Sequence, residues 1–157
     1  GETPVGKPPV RCVEQPGEIA EATESFTGLG FTKQLKETND KQSLAVTAVQ
    51  LAETLGAKGI VVITRRGLMA DYVTNCHPQK TRIFAFTNDS QTRRRLILNR
   101  NLTPYRTAFS SDPEKTLQTS FDVLKERAGL QSNDKVVVIS DVLAGTGIEA
   151  IQIRHLP

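Results

Sequence analysis

Two short runs of β-branched residues limit what this chain can fold into. The first is Lys58-Gly59-Ile60-Val61-Val62-Ile63-Thr64, which breaks into Arg65-Arg66-Gly67. The second is Lys135-Val136-Val137-Val138-Ile139-Ser140, which runs on through Asp141-Val142-Leu143-Ala144 into Gly145-Thr146-Gly147. Continuous apolar runs of this length read as parallel strands buried on both faces, unlike the in–out alternation of a half-solvated strand. Ligands of such sheets sit at the carboxyl ends of the strands. Each polar or glycine-containing loop can offer backbone N–H groups to an anion, so the two together point to one shared pocket.

The remaining elements follow from periodicity and punctuation. Leu44, Ala48, Leu51 and Leu55 recur at helical spacing beside Ala45, Val49 and Ala52, and Gly56 is a natural stop. A helical segment is expected from about Leu68 to Cys76, then a strand over 82–87. A helix opened by Asn88 or Asp89 should run through Arg100. Residues 103–108 read as a short strand. Ser111-Asp112-Pro113-Glu114 is a helix start, with Asp as cap and Pro in the first turn; that helix carries Leu117, Phe121, Leu124 and Ala128 and stops at Gly129. A strand over 134–140 follows, and Ala150 to Leu156 alternates as a half-exposed edge strand.

The expected fold is α/β: a three-layer α/β/α domain on a mixed five-stranded sheet, order 3-2-1-4-5, with the last strand antiparallel. In that order the first and fourth strands are neighbours, and their outgoing loops flank one crevice. The candidate site is therefore Thr64, Arg65, Arg66 and Gly67 on one side and Gly145, Thr146 and Gly147 on the other. Residues 1–39 contain Pro4, Pro8, Pro9, Pro16 and Gly17. They read as a connecting segment with a short helix near Glu18 to Ser25, and as loop or short helical turns from Phe26 to Asn39. The domain proper is expected over 40–157. The start at Gly1-Glu2-Thr3, without an initiator Met, suggests a piece of a longer polypeptide.

Charge narrows the partner. Net charge is only +3, yet Arg65, Arg66, Lys80, Arg82, Arg93, Arg94, Arg95 and Arg100 face only Asp71 and Asp89 over the same stretch. Such an excess favours phosphate-bearing small molecules or a solvated face. Aromatics at 5%, no Trp and no nucleic-acid-binding signature argue against nucleic acid. No apolar run approaches the roughly 20 residues of a membrane span. Cys12 and Cys76 without CxxC spacing fit a structural role in a reducing, cytoplasmic compartment. His77 and His155 lack spaced partners and read as surface or packing residues, and the Arg93-Arg94-Arg95 triplet should split around its helix, with one side chain at an ion pair.

Taken in series, these residues resemble the carboxy-terminal domain of pyruvate kinase. Thr64-Arg65-Arg66-Gly67-Leu68-Met69 stands where that family has Thr-x-Ser-Gly-x-Ser after its first strand. Ala70-Asp71-Tyr72-Val73 and His77-Pro78 are similar to its next helix and exit, and Arg82 to Thr87 to its second strand. Gln91-Thr92, Arg94, Leu98, Arg100 and Pro104 match the following helix and turn. Asp134 to Val138, Gly145-Thr146-Gly147 and Ile151 to Pro157 resemble its last strands and loop, and Gly1-Glu2-Thr3, Gly6, Pro9, Val13, Ile19 and Ala20 its lead-in from the catalytic barrel. The resemblance implies a regulatory or assembly domain that takes a phosphorylated effector, joins a homo-oligomer through residues 150–156 and is not catalytic alone. The family's catalytic residues and its magnesium and potassium ligands lie outside the matched region, so no cofactor is expected in this chain. Arg66 and Met69 replace two effector-loop hydroxyls, and Val142 and Leu143 stand where Trp and Arg often occur.

Two other readings stay open. The run Val138 to Gly147 also looks like the diphosphate-sugar loop of phosphoribosyltransferases, although Ser140 replaces its first acid. A free-standing metabolite-binding α/β module is the other. Neither GxGxxG nor GxxxxGKS is present, so dinucleotide and P-loop sites lack support.

Overall fold

A computed structural model describes residues 29–140, 142 and 149–157. The elements are α1 (Leu29–Leu55), β1 (Gly59–Ile63), α2 (Leu68–Asn75), β2 (Arg82–Thr87), α3 (Ser90–Leu96), β3 (Leu102–Arg106), α4 (Pro113–Arg127), β4 (Lys135–Ser140) and β5 (Ala150–His155). The sheet order is β3-β2-β1-β4-β5. All pairings are parallel except β4 with β5, which is antiparallel. This is the fold expected from the sequence.

Successive strand residues point to opposite faces, so a fully buried strand feeds two cores. Ile60 and Val62 join Ile83, Ala85, Val137 and Ile139 beneath α1, α2 and Leu96 of α3. Val61 and Ile63 join Phe84, Phe86, Val136 and Val138 beneath Leu117, Phe121 and Leu124 of α4. Every residue of β1 is buried. Pro104 sits in β3, an edge strand, where its missing N–H disturbs no central ladder.

Three local expectations change: the start of α1, the end of α3 and the strand bounds. From Leu29, the stretch read as loop or short turns is the start of a helix of 27 residues, about 40 Å long. Lys33-Gln34-Leu35-Lys36-Glu37 are good helix formers, and Gly30 lies in the first turn, where it costs little. Of the helical pattern read in the sequence, α1 buries the small residues most deeply. Ala45, Ala48, Val49 and Ala52 are nearly inaccessible, while Leu44 and Leu51 pack at the margin. Small residues let the helix backbone lie close to the sheet. Finally, α3 ends at Leu96 instead of Arg100. Leu96 is the last side chain able to reach the core, and Ile97 and Leu98 are exposed. The backbone tightens through Leu98 and Asn99, whose N–H groups donate to Arg95 and Leu96, and turns at Asn101 with a φ of 62°. The strands differ by a residue or two: 59–63, 102–106 and 135–140.

Candidate functional site

The loop between β1 and α2 sits at the carboxyl end of the sheet, fixed by the strands that flank it. Thr64 is buried, and its N–H donates to the Phe86 carbonyl at 2.9 Å, extending the β1–β2 ladder by one bond. Its hydroxyl accepts the Gly67 N–H at 3.0 Å. The Thr87 hydroxyl, at the end of β2, donates to the Arg65 carbonyl at 3.0 Å. Gly67 opens α2 with a φ of 89°, a conformation that disfavours any residue with a Cβ. A Cβ there would also collide with the Arg95 guanidinium.

Both candidate arginines are exposed. The Arg65 guanidinium lies 5.6 Å from the centre of the Phe109 ring, on the β3–α4 connection. Arg66 stands on the β2 side: together with Arg94 its charge lowers the Asp89 carboxyl. The larger cause there is the pair of hydrogen bonds from the Thr92 N–H and hydroxyl, by which Asp89 caps α3. Asp71, in the first turn of α2, accepts from Arg95 and Asn99. Arg95 is thus the member of the arginine triplet at an ion pair. Sequence reading named neither Thr87, Phe109 nor Asn99 for this loop. Their partners lie tens of residues away, where no spacing rule reaches.

On the other side of the crevice, Ser140 pairs in register with Ile63, so the ends of β1 and β4 are adjacent. The Val142 N–H donates to the Ser140 hydroxyl at 3.0 Å. Gly145, Thr146 and Gly147 lie outside the described residues, as does Cys12. A cleft of about 250 Å³ opens beside Ser140 on the α4 face, floored by Leu117 and Val138 and edged by Pro113, Glu114 and Gln152. Across it Glu114 pairs with Arg154 of β5 at 2.6 Å, and this contact, helped by Gln118, holds the Glu114 carboxyl below its usual range. A larger groove of about 540 Å³, edged by Lys58, Lys80 and Arg82, lies at the amino ends of the strands, away from where such sheets bind ligands.

Among the described residues, no three His, Cys, Asp or Glu side chains come together as a metal-ligand set. His77 and His155 are exposed and Cys76 is buried. No described helix is long and apolar enough to cross a membrane.

The family model described as pyruvate kinase, alpha/beta domain, matches residues 42–152, which take in β1 to β4 and the first half of β5. The chain belongs to the pyruvate kinase family. It is 35% identical over 116 residues to "Pyruvate kinase isozyme A, chloroplastic" of Ricinus communis, covering 74% of this chain and 19% of that protein. With "Pyruvate kinase 2" of Synechocystis it shares 30% identity over 144 residues, covering 92% of this chain and 24% of the other. The solved "Cryptosporidium parvum pyruvate kinase in complex with ADP" superposes with a TM-score of 0.67 at 22% identity, over 74% of this chain and 24% of that one, a likeness of fold. The chain therefore spans about a fifth to a quarter of these pyruvate kinases. The family match displaces the phosphoribosyltransferase reading, which rested on the single loop around Gly145 to Gly147.

Proposed function

We propose that this chain serves as the regulatory and assembly domain of a pyruvate kinase, taking a phosphorylated small molecule at the ends of β1 and β4 and meeting other copies through residues 150–156. It has no catalytic role by itself. The observation that carries the reading is the β1–α2 loop, where Arg65 and Arg66 stand exposed beside a helix start, next to the end of β4. The loop is a guanidinium site more than a backbone nest, because the Gly67 N–H is already committed to Thr64. Lost hydroxyls at Arg66 and Met69 weaken the case for a sugar bisphosphate and leave simpler phosphates favoured.

A cytoplasmic setting remains the proposal from composition. The plastid is a second reading, favoured by the names of plant relatives such as the Ricinus protein. Magnesium and potassium belong to the parent's catalytic part in this reading, with no role for the residues described above.

Calorimetric titration of the folded chain with fructose bisphosphate, glucose 6-phosphate, AMP and inorganic phosphate tests the effector site. Binding of one of them that disappears in an Arg65→Ala, Arg66→Ala double variant is the expected outcome. Heat from none at millimolar concentration removes the effector reading and leaves assembly alone.

A further inference from the structure

The β1–α2 loop is held by a side chain from another helix. Arg95 of α3 donates from Nη2 to the Arg66 carbonyl at 2.8 Å and from Nη1 to both Asp71 carboxylate oxygens at 3.1 and 3.2 Å. The Asn99 side-chain amide donates to Oδ1 of the same carboxylate at 2.9 Å. One guanidinium therefore joins the loop, the first turn of α2 and the end of α3. A Cβ at Gly67 would fall on Nη2 of this guanidinium.

The rest of the loop is bonded from within as well. The Arg65 carbonyl takes the Thr87 hydroxyl, the Gly67 N–H goes to Thr64, and the Gly67 carbonyl accepts the Asp71 N–H. We propose that Arg95 is a positioning residue that acts as a built-in cation clamp, holding the β1–α2 loop against the first turn of α2. A planar, two-pronged donor is required, because a carbonyl and a carboxylate must be met at once. A ligand can shift a conformational equilibrium only through its different affinity for the two states. A loop held by Arg95 populates its open state less, so an anion on Arg65 and Arg66 gains from preorganisation. That functional consequence rests on the effector-site reading; the clamp itself does not.

Amide hydrogen exchange followed by NMR on the full chain separates the two. In Arg95→Gln, exchange at the Gly67 and Asp71 amides should rise about tenfold or more, with the core amides of Val62 and Val137 unchanged. Asp71→Asn should do the same, and the double variant should add nothing further. An unchanged Gly67 amide in Arg95→Gln, a rise shared equally by the core, or additive single variants overturns the clamp. Inorganic phosphate added to Arg95→Gln supplies the second arm. Renewed protection at Gly67 supports clamp and anion site together. Exchange that stays raised at high phosphate leaves the clamp standing and removes the anion site.

Discussion

Glu53 shows how one residue can join parts of the chain that its neighbours in sequence do not predict. It projects from α1 near the amino ends of the strands and accepts the N–H groups of Gln79 at 2.9 Å and Lys80 at 3.1 Å, with the Thr81 hydroxyl at 2.5 Å. Burial alone would raise this carboxyl. The hydrogen bonds from Thr81, Gln79 and Lys80, with the Lys80 charge, outweigh it and hold the group below its ordinary value of 4.5. A carboxyl depressed in the folded state adds stability above its unfolded value, and that stability is lost as pH falls through the folded value. Glu53→Gln should therefore cost about 1–2 kcal/mol at neutral pH, through weakened charge-assisted bonds. Urea unfolding should show the gap narrowing as pH falls below the ordinary carboxyl value and on through the lower folded one, where the native carboxylate takes up its proton too. A gap that persists undiminished in acid would mean the loss is one of packing.

At the scale of elements, α4 and β5 carry the sharpest expectations. Asp112 caps α4 by accepting the Glu114 N–H at 3.1 Å, and the Ser110 hydroxyl accepts the Asp112 N–H in turn. Asp112→Ala should lower stability by about 1 kcal/mol in chemical denaturation, the usual cost of a lost cap. β5 is the open edge of the sheet, and Ile153 is 48% exposed upon it. An apolar side chain on an unpaired edge invites a second strand. Sedimentation should show self-association of the chain that Ile153→Asp abolishes while circular dichroism stays native. A wild-type chain that is monomeric at all concentrations would remove residues 150–156 as the contact. The cap was legible because Ser-Asp-Pro-Glu is a local signal. The early end of α3 was not, because it depends on where Leu96 meets the core.

At the scale of the molecule, family membership and fold arise from a collinear series of modest matches. The described residues hold two cores and a cleft beside Ser140, with no cluster of metal-binding side chains among them. On the regulatory reading proposed above, the chain is expected to transfer no phosphoryl group between phosphoenolpyruvate and ADP when assayed alone with magnesium and potassium. Turnover above background in a sample freed of contaminating kinase would contradict that. The same assay with the chain joined to a pyruvate kinase catalytic part would then test whether it alters activity.

What the sequence determined by itself was the set of local decisions. Unbroken β-branched runs made Ile60–Ile63 and Val136–Ile139 central strands, and Gly56, Asp112, Pro113 and Gly129 marked helix ends. Those signals act between residues a few positions apart, where backbone preference and side-chain periodicity are decided. Tertiary structure alone decided the rest. It buried Ala45, Ala48, Val49 and Ala52 of α1 and left Leu44 and Leu51 at the margin of the core. It set Arg95 on the Arg66 carbonyl and on Asp71, 29 and 24 residues away, and brought Thr87 to Arg65. Such contacts depend on strand register and helix packing, which bring together residues that no spacing rule connects.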